Sequence, residues 1–185
     1  ALHSGMGDME YTLDPALVQW AYALTKDITL PDNDGLKASR LRYTGFAAAQ
    51  KPPSVQLGDT ISGETFWVGA KMNQWAERWV KYWTDGQGVM ATTAEEDVAF
   101  CQALALQGKA GRVDPKRALI LRTASNFDMQ PPGQTAAQLL SDEAHETGFS
   151  GFQASVDAAY TVGSVVVKEL ATHWDQYEKA LPTAR

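Results

Sequence analysis

Strand-like segments alternate with helical stretches of roughly 10–15 residues through most of this chain, and that alternation restricts it to an α/β architecture. Asp14-Pro15 supplies an N-cap followed by proline at the first helical position, and Leu17, Ala21, Leu24 and Ile28 then recur at helical spacing. Pro31 to Gly35 predicts a turn-rich loop, and a polar segment rich in Arg and Tyr runs from there to Lys51-Pro52-Pro53. Ser54 to Leu57 alternates like a strand leading into Gly58-Asp59-Thr60. From Gly69 a helix carries Met72, Trp75, Trp79 and Trp83, a stripe that predicts packing in the core or at a subunit interface. Val89 to Thr92 predicts a buried strand, 94–109 a helix, and Arg117 to Thr123 a strand rich in Leu and Ile. Pro131-Pro132 makes the stretch from Asn126 to Gly133 irregular, and helices near 135–144 and 155–179 follow.

Length and charge narrow the partners. At 185 residues and 44% apolar, the chain supports one sizeable domain. A net charge of -6 argues against nucleic acid or an anionic membrane as principal partner, and leaves room for a small neutral ligand. Cys101 is the only cysteine, so no intrachain disulfide and no cysteine-based metal cluster is possible; its neighbours predict a small buried hydrophobe. No run approaches the ~18 apolar residues of a spanning helix, since Asp157, Lys168 and Glu169 interrupt the longest one, and direct membrane insertion is not expected. The three histidines, His3, His145 and His173, lack metal-ligand spacing, and neither a nucleophile elbow nor a phosphate-cradling loop appears.

Three segments, Ser62 to Trp67, Thr93 to Asp97 and Arg122 to Asp128, carry candidate chemistry, each beside a plainer reading. Phe66 and Trp67 offer aromatic faces for a purine base, or simply fill the core beside the tryptophan helix. Glu95, Glu96 and Asp97 open a helix: Thr93 with Glu96 matches a capping box, and three acids in a row exceed what one cap requires. An ionised carboxylate among them can accept from both hydroxyls of a sugar diol. Ser125-Asn126-Phe127-Asp128 reads as a turn, or as a purine-edge reader whose Asn126 amide offers one donor and one acceptor.

The run from Gly58 to Trp67 resembles the purine-stacking segment of the nucleoside phosphorylase superfamily. Within it the chain is most similar to the purine nucleoside permease family, through Trp83-Thr84-Asp85-Gly86, Thr92-Thr93-Ala94 with Glu96-Asp97, Leu121 to Asn126, and Pro131 to Ala137. The resemblance implies a three-layer α/β fold with a mixed central sheet, incomplete here at its N-terminal half, so that residues 1–185 form the C-terminal part of a single domain. It implies Phe66, with Trp67 beside it, as the base-stacking residue, Glu96 as the ribose grip, and Ser125 and Asn126 at the purine edge. Glu95 stands where a methionine usually packs under the sugar, and Asn126 where many relatives have aspartate. A neutral amide hydrogen-bonds to N7 but delivers no proton, so proton delivery falls to Asp128 or water.

The expected function is soluble binding of purine nucleosides in the course of their uptake. The alternative is an enzyme that breaks the N-glycosidic bond, with Asn126 and Asp128 as catalytic groups, no cofactor, and phosphate as a possible co-substrate. A storage or structural protein with a degenerate site is the third class. Expected partners are the nucleoside, an N-terminal half or second chain that completes the sheet, and a further copy of the chain. A periplasmic or secreted location is favoured over a cytoplasmic one.

Overall fold

Asp14 begins the first helix as its chemistry dictates. Its Oδ1 accepts from the backbone N–H groups of Ala16 and Leu17, both at 3.0 Å, and Pro15 takes the first helical position. A computed structural model describes residues 10–144 and 151–183; His3 and His145 lie outside the described residues. Helix α1 (Pro15–Thr25) buries Leu17, Trp20 and Thr25, the last with its hydroxyl donating to the Ala21 carbonyl at 2.8 Å. The loop predicted from Pro31 ends early, because Asn33 Oδ1 accepts from Leu36 N–H at 2.9 Å and starts helix α2 (Asp34–Leu41). That helix is polar overall and buries none of its residues, so no core-facing apolar run announces it. Its asparagine cap is the one local signal.

Strands β1 (Asp59–Ser62) and β2 (Met90–Ala94) pair in parallel, joined by helix α3 (Ala70–Trp83) as a βαβ unit. The strand expected at Ser54–Leu57 does not form, and pairing begins at Asp59. There the Asp59 carboxylate accepts from Val89 N–H at 2.7 Å while its own N–H donates to the Val89 carbonyl at 2.8 Å, which pins the register. Gly58 is required just before: a Cβ there would lie 2.3 Å from the Cβ of Ala91.

The tryptophan stripe is only partly core. Ala76, Val80 and Trp83 form the buried face of α3, whereas Trp75 is 46% and Met72 39% exposed. Each i, i+4 step advances about 40° around the helix, so a row that ends in the core at Trp83 has turned toward solvent by Trp75. The rings meet one another along the helix instead: Trp75 stacks on Trp79 with centroids 5.7 Å apart, and Trp79 meets Trp83 edge-on at 5.6 Å. Beyond Thr84, Asp85 (φ 49°) and Gly86 (φ 82°) take the left-handed turn expected of that sequence.

Helix α4 (Asp97–Lys109) carries the buried Cys101. The segment after it, predicted as a strand, enters no ladder among the described residues. It is fixed by other means: Arg117 donates to the carbonyls of Tyr177 and Glu178 at 2.7 and 3.0 Å. Helix α5 (Ala136–Ala144) forms as expected. The single C-terminal helix expected at 155–179 divides at His173 into α6 (Phe152–Thr172) and the short α7 (Trp174–Tyr177). Helix α6 packs on α1, and Trp20 meets Tyr177 edge to face at 5.5 Å.

The class is therefore α/β, with two parallel strands and flanking helices. Between α1, β1, α3, residues 119–124 and α6 lies an open hollow of about 1160 Å³, walled by apolar side chains such as Val18, Ile61, Trp83, Leu119 and Val162. Among the described residues no large side chain is fully enclosed, so the apolar interior stays open on the hollow. No described helix is long and apolar enough to cross a membrane.

Candidate functional site

The second of the three segments singled out in the sequence meets both of the others. Gly63 N–H donates to the Ala94 carbonyl at 3.0 Å, extending the β1–β2 ladder and laying the first segment beside the second. Ser62 Oγ then accepts from Asp97 N–H at 3.0 Å and caps α4 from outside its own sequence. This replaces the capping box expected of Thr93 and Glu96: Glu96 occupies the N-cap position with no side-chain cap bond. The first segment approaches the third only through the start of α3 just beyond it, where Gly69 N–H donates to the Asp128 carbonyl at 2.7 Å and Ala70 N–H donates to Gln130 Oε1 at 3.0 Å.

Second and third segments are joined by charge. Arg122 Nε donates to both carboxylate oxygens of Asp97 at 2.9 Å, and Nη2 donates to Asp97 Oδ1 as well. The same Nη2 donates to Glu96 Oε2 at 2.7 Å. Exposure separates the two acids. The Asp97 side chain is 9% exposed and serves as the anchor, whereas that of Glu96 is 71% exposed and faces outward. The Arg122 guanidinium, through its hydrogen bond and its charge, holds the Glu96 carboxyl below the usual carboxylate range. Sequence reasoning offered Asp97 only as one of three candidate acids, without its partner, and gave Arg122 no role. The available signal was a lone cation ending the apolar run Ala118 to Leu121, opposite a helix start with three acids.

The remaining candidates fall as follows. Phe66 is 42% exposed and Trp67 half-buried, in the loop between β1 and α3. Ser125 Oγ donates to Asn126 Oδ1 at 3.1 Å, and Asn126 Nδ2 donates to the Phe127 carbonyl at 3.0 Å, so both ends of the amide are engaged locally. Asp128 Oδ2 accepts from Asn73 Nδ2 at 2.8 Å, and burial pushes its carboxyl above the usual range against the opposing effect of that amide. Behind this loop Phe127 packs at 4.0 Å on the buried Tyr43, whose hydroxyl donates to the Met129 carbonyl at 2.9 Å. The wall of the hollow includes Ser62, Asp97, Arg122, Thr123 and Ala124 of the three segments; Phe66, Trp67, Glu96, Ser125, Asn126 and Asp128 are not on it. Backbone and ion pair thus gather the segments, with Asp97 and Arg122 turned to the hollow and Glu96 to solvent.

Compared with known proteins, residues 3–182 match the profile of the family described as purine nucleoside permease (NUP). The chain belongs to the purine nucleoside permease family. A protein of Schizosaccharomyces pombe named a probable purine nucleoside permease is 29% identical over 168 residues, covering 90% of this chain and 47% of the relative. Two Candida albicans proteins named purine nucleoside permease are each 26% identical, over 133 and 129 residues, and only 32% and 31% of their lengths are covered. The chain thus spans about half the length of the first permease and a third of the others. No solved structure matches it.

Proposed function

We propose that the chain binds purine nucleosides at the meeting point of the three segments, as part of a protein that takes part in nucleoside uptake. The observation that carries this reading is the placing of Glu96: an outward-facing carboxylate at the start of α4, hydrogen-bonded by Arg122 and held by it below the usual carboxylate range. A sugar diol needs an acceptor of that kind, because two hydroxyls donate best to a group that is charged and donates nothing itself. Phe66 stacks the base from the loop after β1, and Asn126 reads the purine edge once its local hydrogen bonds exchange for the ligand's. The names of the fungal relatives support the purine nucleoside as ligand.

Titration with inosine and with free hypoxanthine tests the assignment. Glu96→Ala is expected to weaken inosine about tenfold or more, the worth of a charge-assisted pair of hydrogen bonds, while hypoxanthine binding stays as it was. Equal loss of both ligands removes Glu96 from the sugar.

One observation favours a second reading, an enzyme that cleaves the N-glycosidic bond. Asp128 is a carboxyl whose proton is retained to higher pH than usual, two residues from Asn126, and leaving-group protonation requires such a group. Release of hypoxanthine from inosine only with phosphate supports phosphorolysis, release without it supports hydrolysis, and binding with no release supports the carrier.

The sheet and the hollow carry a third element of the proposal. Parallel sheets are stable when covered and extended on both sides, and two strands of four and five residues provide little of either. Strands from an N-terminal half or a second chain complete a three-layer sheet over the hollow. Size-exclusion chromatography of the 185 residues alone is expected to show association or a loosened fold; a well-folded monomer of 20.1 kDa contradicts it.

A further inference from the structure

We infer that Arg122 is a positioning residue for Glu96: fixed on Asp97, its guanidinium holds the Glu96 carboxylate in the one orientation that receives both hydroxyls of a nucleoside's sugar. This rests on the nucleoside reading above, and adds to it a residue that no resemblance assigned.

The geometry divides one guanidinium between two tasks. Nε and Nη2 both bond the Asp97 carboxylate, so the plane of the guanidinium is fixed by a buried partner and not by solvent. Asp97 is itself held in place: it begins α4, and its backbone N–H is taken by Ser62 Oγ from the end of β1. The rigid chain therefore runs from the sheet through Ser62 and Asp97 to Arg122. Among the described residues one hydrogen bond continues from Arg122, to Glu96 Oε2. A carboxylate has about four acceptor sites, so the bond from Nη2 orients the group and, with the backbone N–H groups of Glu95 and Glu96 beside it, leaves capacity for sugar hydroxyls once the backbone contacts are shared. Without Arg122, the exposed Glu96 side chain loses its side-chain partner and keeps only the nearby backbone N–H groups of Glu95 and Glu96, so each binding event must order it further.

The charged groups beside Glu96 among the described residues are few. Arg122 comes from the segment after α4, Glu95 and Asp97 flank Glu96 in the chain, and the end of β1 contributes the uncharged Ser62. Arg122 is the cation that keeps the Glu96 carboxyl low. Its removal therefore raises the pH at which Glu96 takes up a proton, and the acid-side loss of nucleoside binding moves to higher pH. Proton uptake by Glu96 is a readout that a purely structural Arg122 leaves unmoved.

The test is a double-mutant cycle on the full chain, titrated with inosine between pH 4 and about 8, with hypoxanthine as the ligand that ignores the sugar grip. Arg122→Gln is expected to weaken inosine about tenfold at pH 7 and to shift the acid limb upward, with hypoxanthine unchanged. In a Glu96→Ala background the same substitution is expected to cost nothing further. Arg122→Lys, which keeps the charge and loses the fork, is expected to restore the position of the acid limb while leaving the affinity at pH 7 reduced. Additive losses in the cycle, or an acid limb that stays put in Arg122→Gln, overturn the positioning role. If Arg122→Gln also loses hypoxanthine, the cycle is read with Arg122→Lys, and additivity there overturns it equally. Glu96→Ala binding inosine as tightly as the unaltered chain is a different result: it removes the sugar role of Glu96, and the positioning role falls with it.

Discussion

Asp97→Ala is expected to lower the unfolding free energy of the full chain by about 3 kcal/mol, read from urea denaturation as a lower midpoint at similar slope. The carboxylate it removes is 9% exposed and takes both Nε and Nη2 of Arg122. Breaking a buried ion pair from one side leaves the other charge without compensation, which typically costs 3–5 kcal/mol. The Arg122 side chain is 31% exposed, so water recovers part of that and the low end applies. Replacing both partners by apolar residues of similar size, Asp97→Leu with Arg122→Met, is expected to cost far less than Asp97→Ala alone, since no charge remains buried. If the double replacement is the more damaging, the pair contributes through something other than charge compensation.

Trp83→Ala is expected to cost about 3 kcal/mol, and Trp75→Ala about 0.5, although both tryptophans lie in one stripe on α3. Trp83 is 7% exposed and packs edge-on against Trp79 at 5.6 Å and Tyr82 at 5.6 Å. Removing it takes a large apolar surface out of the interior and opens a gap that the surroundings fill only in part. The site already borders the hollow, which places the cost near the bottom of the usual range for tryptophan. Trp75 is 46% exposed and loses mainly its stacking on Trp79. Thermal or urea denaturation of the two variants measures the contrast. Equal losses place the whole stripe in one buried interface.

What was legible in the sequence follows which signals are local. Asp14-Pro15 caps α1 as its side chain requires, and the turn through Asp85-Gly86 takes the left-handed conformation those residues permit. Strand assignments fared worse, because a strand is defined by its partner. The alternation at Ser54–Leu57 and the apolar run ending at Leu121 describe residues suited to a sheet, and no ladder among the described residues receives them. Helix α2 shows the reverse case: it is held by the Asn33 cap and by Arg40 on Asp32 at 2.6 and 2.9 Å, and it buries no residue that would mark it as part of the core.

The candidate site was legible as three segments and illegible as a network. Carboxylate, aromatic and amide residue types point to their chemistry one at a time. That Ser62 caps α4, or that Arg122 divides itself between Asp97 and Glu96, depends on contacts across 35 and 25 residues of sequence. Nothing local encodes those pairings. The capping box read at Thr93 and Glu96 failed for the same reason, since a hydroxyl from another element reached the helix start instead.

A structure of the full chain soaked with inosine decides most directly whether the three segments form a nucleoside site. The sugar hydroxyls are expected within hydrogen-bond distance of the Glu96 carboxylate, with Arg122 still on Asp97, the base against Phe66 and its edge toward Asn126. Inosine bound inside the hollow beside Leu119 and Val162, with Glu96 left in solvent, contradicts the assignment.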